Sequence, residues 1–293
     1  MNSLTQLYKA PFNKQRPIFA LWRFACWKII RIFKLRNLSY SLWGNKKIIL
    51  NYDSFQSMWI MYNYIVDWEE FNLIKRFLKE GDTAFDIGAN MGFYTIWFSK
   101  FIKNGHIHSF EPDERNYERL CKNIEINRMT KLITAHKKAV SDVNDTILFS
   151  KGLDGENHIL TGEGKNLETV RLEAITLDSF CFKSNVENID YLKIDVEGFE
   201  TSVLLGGAEM FRQKRIAIVQ LELNQAILNS GKEITDILSL LESYDYSLCS
   251  YDIDRNELKL ISYHPSRENY FAVASLEAIN NKLSNNHHLH AKN

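Results

Sequence analysis

Thr83–Gly92, TAFDIGANMG, decides the fold. A short apolar run ends in Asp86, and Gly88, Asn90 and Gly92 follow at alternate positions before a helical pattern opens at Phe93. A strand that breaks into a turn of small residues and then a helix is how a Rossmann-like sheet holds a nucleotide-like ligand. The glycines allow close backbone approach, and the free N–H groups of the helix start face the ligand. A second carboxylate, Glu111, closes the next strand-like run, HIHSFE. It lies about 20 residues beyond the turn, which suits a side chain accepting hydrogen bonds from two ribose hydroxyls.

The turn reads G-A-N-M-G, not the G-x-G-x-x-G that cradles a dinucleotide pyrophosphate, and no GxxxxGK[ST] occurs anywhere in the chain. Asn90 stands where the middle glycine would be, and no Lys or Arg is placed for phosphates. A carboxylate at the strand end suits a cationic ligand that carries an amino group. S-adenosylmethionine fits that description; NAD and ATP do not.

Outward from this turn, strands alternate with helices. Helical spacing at 68–78 and 93–103 brackets the first strand, and further helices are predicted at 114–127, 177–180, 199–211 and 233–243. Strands are predicted at 106–110, 132–136, 147–149, 169–175, 191–196 and 215–222, with closing strands near 246–251, 258–262 and 270–274. Such alternation gives an α/β fold with a mostly parallel sheet flanked by helices, and ligands bind at the carboxyl ends of its strands.

The runs DTAFDIGANMGFYT, FEPDERNYERLCKNIEIN, KKAVSD, LDSF, YLKIDVEGFETSVLLGGAEMF and IVQLELN, taken in order, resemble the FkbM-type family of S-adenosylmethionine-dependent methyltransferases. The resemblance covers about residues 68–274. It implies a class I methyltransferase fold with a seven-stranded, mostly parallel sheet, and O-methylation of a hydroxyl on a sugar, glycan or glycolipid. By the same resemblance Asp86, Gly88, Asn90 and Gly92 line the methionine part of the cofactor, with Tyr94 and Thr95 just beyond. Glu111 takes the ribose, Pro112 and Asn116 border the adenine, and Ala139, Val140 and Asp142 cover it.

An alcohol nucleophile must shed its proton during transfer, which calls for a general base or a metal. The run YLKIDVEGFE brings Lys193, Asp195 and Glu197 to the carboxyl end of a strand. By alternation the three share a face, where unpaired burial would be costly. Asp195 is the first candidate for base or cofactor-orienting acid, Glu197 the second, and Lys193 their electrostatic partner. His158, in a polar loop, is a further candidate base; His106, His108 and His136 read as structural. No metal ligand set is assigned, although Asp195 and Glu222 at neighbouring strand ends have oxygen donors suited to Mg²⁺. Three other readings stay open: a metal-assisted O-methyltransferase of a secondary metabolite, a non-catalytic membrane-associated protein that retains the fold, and, against the reading of the turn, a nicotinamide dehydrogenase. Nucleobase methylation is disfavoured, because IDVEG stands where those enzymes carry (Asp/Asn)-Pro-Pro-(Tyr/Phe).

The chain's 293 residues divide into a basic aromatic extension (1–60), the methyltransferase domain (61–280) and a His-containing tail (281–293) expected to be disordered. Zero net charge conceals an asymmetry: residues 1–52 hold ten Lys and Arg and no Asp or Glu. Residues 17–36 are predicted to form an amphipathic helix. Arg23, Lys28, Arg31 and Lys34 share one arc with Phe24 and Trp27 among them, and Leu21, Trp22, Ala25, Ile29, Ile30, Ile32 and Phe33 fill the other. That pattern suits an anionic membrane surface, with packing on the domain as the alternative; a nucleic-acid partner is not expected. Four cysteines without metal spacing, no cleavable leader and no membrane-length apolar run predict a cytoplasmic protein, peripheral at the inner membrane face.

Overall fold

The computed structural model describes residue 7 and residues 10–65, 67–150 and 169–290. The N-terminal part holds α1 (Pro11–Gln15), α2 (Pro17–Ile32), the hairpin β1 (Leu38–Ser41) and β2 (Lys47–Leu50), and α3 (Phe55–Asn63). Next come α4 (Trp68–Phe77), β3 (Thr83–Ile87), α5 (Phe93–Phe98), β4 (His106–Phe110), α6 (Glu114–Ile126) and β5 (Ile133–His136). Short strands β6 (Ala139–Val140), β7 (Thr146–Ser150) and β8 (Thr169–Ile175) form a small separate sheet. The chain returns through α7 (Leu177–Lys183), β9 (Ile189–Ile194), α8 (Glu200–Gly206), α9 (Ala208–Arg212) and β10 (Ile216–Glu222). It closes with α10 (Gln225–Asn229), α11 (Ile234–Ser243), β11 (Ser247–Asp252), β12 (Glu257–Leu260), β13 (Asn269–Val273) and α12 (Leu276–His290).

The central sheet runs β12-β11-β13-β10-β9-β3-β4-β5. Strands β5, β4, β3, β9 and β10 are parallel, and β13 lies antiparallel between β10 and β11. This is the class I methyltransferase architecture, with one strand more than expected because β12 pairs onto the outer edge of β11. The order reverses between β3 and β9, and such a switch point opens a crevice at the strand ends.

Both faces of the central strands are covered, so their buried residues alternate between two cores. Phe85, Ile87, Leu192, Ile194, Val219 and Leu221 pack on one side; Ala84, Tyr191 and Ile218 pack on the other with Phe71, Ile74 and Phe98. Asp86, Lys193 and Gln220 are register partners on three adjacent strands. They form a polar row across the second face, under α5.

In the extension, the side of α2 that carries Arg23 faces in. Ala20, Arg23, Trp27 and Ile30 are buried, while Leu21, Trp22, Ile29, Ile32 and Phe33 are exposed. The reason is the end of α3. Arg23 Nε donates to the Met61 carbonyl (3.1 Å) and Nη2 to the Tyr62 carbonyl (3.4 Å), last-turn acceptors that have no partner within their own helix. Nη2 also bonds the Asn13 side chain, and the guanidinium sits over the rings of Phe12, Phe19 and Tyr64 at 4.8–5.7 Å. A cation favoured by a helix C-terminus thus turns inward and rotates the apolar arc to the surface.

The tail differs from expectation: the chain from 281 continues as helix to His290. Asn286 Nδ2 donates to the Arg76 and Phe77 carbonyls at the end of α4 (3.2 and 3.0 Å), Leu283 is buried, and Lys282 bonds Asp82 and Asp190. Capping another helix and burying a leucine hold this polar segment in place.

Gly88 is required less by a ligand than by the neighbouring strand. Its φ is +82°, and a Cβ there would lie 1.8 Å from the Asp195 carbonyl oxygen. Gly81 has a similar φ (+87°) with nothing within 4 Å of its Cβ position. Gly81→Ala should therefore cost about 1–2 kcal/mol, the left-handed backbone alone. Gly88→Ala should cost about 3 kcal/mol or more, because the β3 and β9 ends must separate. Urea unfolding of the two variants measures the difference, and equal losses would show that the strand approach is not the constraint.

Candidate active site

The site begins where β3 ends. Asp86 is fully buried. Its Oδ2 accepts from Thr95 Oγ1 (2.6 Å), which also shares a hydrogen bond with Ser109 Oγ (2.8 Å). Its Oδ1 has no hydrogen-bond partner and lies 3.9 Å from Lys193 Nζ. Burial raises the Asp86 pKa, and Lys193 and the Thr95 hydroxyl oppose that rise.

Lys193 Nζ pairs with Asp195 Oδ2 at 2.8 Å and sits 4.7 Å from the centre of the Tyr94 ring. Burial works against the ammonium, but Asp195 and then Asp86 outweigh it and hold Lys193 above its ordinary range. A buried cation between two carboxylates stays charged.

Glu111 follows β4 and is fixed by two backbone donors: Asn90 N to Oε2 (2.7 Å) and Asp113 N to Oε1 (2.9 Å). Asn90 reaches it from a left-handed backbone, φ +50°. Burial pushes Glu111 up to about 8 against these two bonds. Each oxygen keeps lone pairs for a second donor.

Glu222, at the end of β10, hydrogen-bonds Asp195 and accepts from Asn224 Nδ2 (3.0 Å). The Asp195 charge, then burial, push it up to about 9, so Glu222 keeps its proton at neutral pH. Glu197 stands on a left-handed turn (φ +50°) just past β9. Glu200 Oε1 closes that turn by accepting from Val196 N (3.2 Å) and Gly198 N (3.3 Å).

A second polar chain reaches the site from below. Tyr191 Oη donates to Gln220 Oε1 (2.8 Å), Gln220 Nε2 to Tyr94 Oη (3.0 Å), and Tyr94 Oη to Asp67 Oδ2 (2.6 Å). Burial raises the Asp67 pKa, and the Tyr94 bond and Lys193 offset part of that.

These groups open on one cleft of about 480 Å³, within the range of small-molecule sites. Among the residues singled out from sequence, Asp86, Gly88, Asn90, Tyr94, Glu111, Pro112, Asn116, Ala139, Val140, Lys193, Asp195 and Glu197 line it. Gly92, Thr95 and Asp142 do not. Gly92 starts α5 at φ +89° against Leu120, Thr95 lies beneath Asp86, and Asp142 is exposed and accepts from Ser141 Oγ. His158 lies outside the described residues. His108 and His136 face each other at 3.2 Å, and burial lowers them to about 3 and about 4, as fits neutral packed rings. Among the described residues no group of three or more His, Cys, Asp or Glu is placed to hold a metal.

The aromatic stretch 44–66, readable in the sequence as a hairpin or a lid without any named site residue, supplies a wall. Phe55, Gln56, Trp59 and Ile60 of α3 line the cleft, as do Asp67, Gln220, Glu268 and Asn269. The one signal was the aromatic density of 52–64, which fits a rim as well as a core.

Two expected outcomes follow from the charges. Lys193→Met leaves Asp86 buried without a counter-ion and should cost about 3–5 kcal/mol at neutral pH, less in acid, where Asp86 protonates; urea midpoints at two pH values measure this. Glu222, raised in the fold, binds more protons folded than unfolded between about pH 4.5 and 9. Stability should fall as pH rises through that window, and Glu222→Gln should flatten the slope, by roughly 1–2 kcal/mol at the alkaline end.

The sequence model for the methyltransferase FkbM domain matches residues 86–248, more than half of the chain. The chain is similar to the 2-O-methyltransferase NoeI of Sinorhizobium fredii, 27% identical over 185 residues, covering 57% of this chain and 74% of that protein. It is similar to the hexuronic acid methyltransferase AglP of Haloferax volcanii, 22% identical over 206 residues, covering 70% and 80%. Similar solved structures include an FkbM methyltransferase from Methylobacillus flagellatus (TM-score 0.41, 15% identity, 66% of this chain and 43% of that one). An O-methyltransferase from Bacillus cereus in complex with SAH is another (TM-score 0.41, 13% identity, 72% and 83%). With the DIGANMG turn and the KIDVEG strand end meeting over one cleft inside the matched region, the chain belongs to the FkbM family of methyltransferases.

Proposed function

We propose that the protein transfers the methyl group of S-adenosylmethionine to a hydroxyl of a sugar in a glycan or glycolipid. The observation that carries this reading is the charge layout of one cleft: Glu111 at one end, and Asp86, Lys193, Asp195 and Glu222 in contact at the other. The cleft fits the cofactor. Glu111 offers acceptor capacity to ribose hydroxyls, Ala139 and Val140 give an apolar wall for adenine, and Asp86 Oδ1 is an acceptor without a donor. Acidic surroundings suit a ligand with sulfonium and ammonium charges.

When bound, S-adenosylmethionine supplies an electrophilic methyl group for in-line displacement. The chain's own residues supply alignment and proton removal. Lys193 fixes the Asp195 carboxylate by an ion pair and Glu222 fixes it by a hydrogen bond, which leaves lone pairs on Asp195 to accept the hydroxyl proton. Glu197 stands second as base. At the rim, Phe55 and Trp59, edge to face at 5.7 Å, offer an apolar surface to a sugar ring, and Glu268 and Asn269 offer partners to its hydroxyls. The names of both relatives, one a 2-O-methyltransferase and one a hexuronic acid methyltransferase, support a sugar acceptor. The setting we infer is the cytoplasm at the inner face of a membrane; among the described residues no helix is long and apolar enough to cross one.

Calorimetry should show S-adenosylmethionine binding, weakened about tenfold or more by Glu111→Gln. Asp195→Asn should lower kcat on uronic-acid oligosaccharides about 10²–10⁴-fold. Absence of cofactor binding in the wild type sinks the proposal; an unchanged kcat in Asp195→Asn removes Asp195 as base.

A further inference from the structure

Helix α2 is mounted with its apolar side outward. Ile18, Leu21, Trp22, Ile29, Ile32 and Phe33 are exposed, from 42% at Leu21 to 82% at Ile18. At 3.6 residues per turn these six fall within an arc of about 120°. The opposite side is held by Arg23 in its cage of α3 carbonyls and aromatic rings, so the arc cannot turn inward without stripping a buried guanidinium of its partners. Apolar surface of this extent on one helix marks a site of contact.

Charge decides what covers it. Lys14, Arg16, Lys28, Arg31 and Lys34 lie on α1, on α2 or next to them and are all exposed, Arg36 is paired with Asp53, and no acidic residue precedes Asp53 in the chain. A second copy docked through the same arc would bring two strongly basic arms together. A nucleic acid would engage the cations and leave the apolar side chains in water. An anionic bilayer answers both parts, with acyl chains for the arc and headgroups for the cations.

We propose that the outward arc of α2 and its flanking cations form a docking surface for an anionic lipid bilayer, with Arg23 as an internal tie and not a lipid ligand. This deepens the membrane setting of the proposed function and is independent of the methyl transfer itself. It also bears on the acceptor. α2 packs on α3, and α3 carries Phe55, Gln56 and Trp59 into the cleft wall. One helix separates the lipid surface from the rim, an arrangement suited to a sugar presented on a lipid.

The test is flotation of the full chain with vesicles of phosphatidylcholine alone and of phosphatidylcholine mixed with phosphatidylglycerol. Binding to the mixed vesicles only, weakening as salt is added, is the expected result. Trp22→Ser with Ile32→Ser, both on exposed positions, should reduce partitioning about tenfold or more. Lys28→Gln with Arg31→Gln should reduce it roughly fivefold per charge. Unchanged melting and cofactor calorimetry in these variants show that the fold is kept. The proposal is overturned if mixed vesicles are not bound at low salt, or if the Trp22/Ile32 variant floats like the wild type. A dimer that the same variant dissociates overturns it too, by assigning the arc to a second copy. Vesicle binding without cofactor binding would remove the methyltransferase reading and leave this one standing.

Discussion

One buried ammonium organises the catalytic end of this molecule. Lys193 stands between Asp86 and Asp195, on adjacent strands, with almost no solvent to share its charge. Asp86, fully buried, is not tolerable there alone, and the cation is not tolerable without its carboxylates. The triad therefore requires β3 and β9 to end at the same level and to approach closely. Gly88 allows that approach by leaving room for the Asp195 carbonyl. Thr95 donates to Asp86 and shares a second hydrogen bond with Ser109 of the next strand. Asp86, whose Oδ1 has no hydrogen-bond partner, and Asp195 both line the cleft.

A second buried cation is handled without any carboxylate. Arg23 lies in a stretch of 52 residues that has no acid to offer. Its charge is met by backbone carbonyls at the end of α3 and by the faces of three rings. These contacts bring no acidic group to the first 52 residues, of which Arg36 pairs with Asp53. They also reverse the usual logic of an amphipathic helix on a globular surface, where the apolar stripe goes in. The Met61 and Tyr62 carbonyls have no partner within α3 and favour this burial, although Asn13 Nδ2 also donates to Tyr62 and Arg23 Nη1 has no hydrogen-bond partner.

Much of the cleft was legible from two short runs. DIGANMG and the Glu111 that follows carry the strand–turn–helix signal, and IDVEG carries the charged strand end. Those residues are close together in the chain, so local pattern places them. Asp67, Glu268 and the α3 wall have no such pattern; they reach the cleft only because α4 and β13 pack beside strands far away in sequence. Glu222 was legible as a strand end beside Asp195, but its proton depends on the contact between the two.

From the sequence alone came the α/β class, the nucleotide-type turn, the acidic strand tips and the basic character of the first 52 residues. These follow from residue periodicity and from composition, which need no tertiary contact. The tertiary structure alone decided which side of α2 faces water, that the chain past 281 is a capping helix, that the strand expected near 258–262 joins the central sheet as an eighth, and that Glu222 keeps its proton beside Asp195. Each of these turns on where an unpartnered carbonyl, sheet edge or charge finds its complement, and such complements lie tens or hundreds of residues apart in the chain.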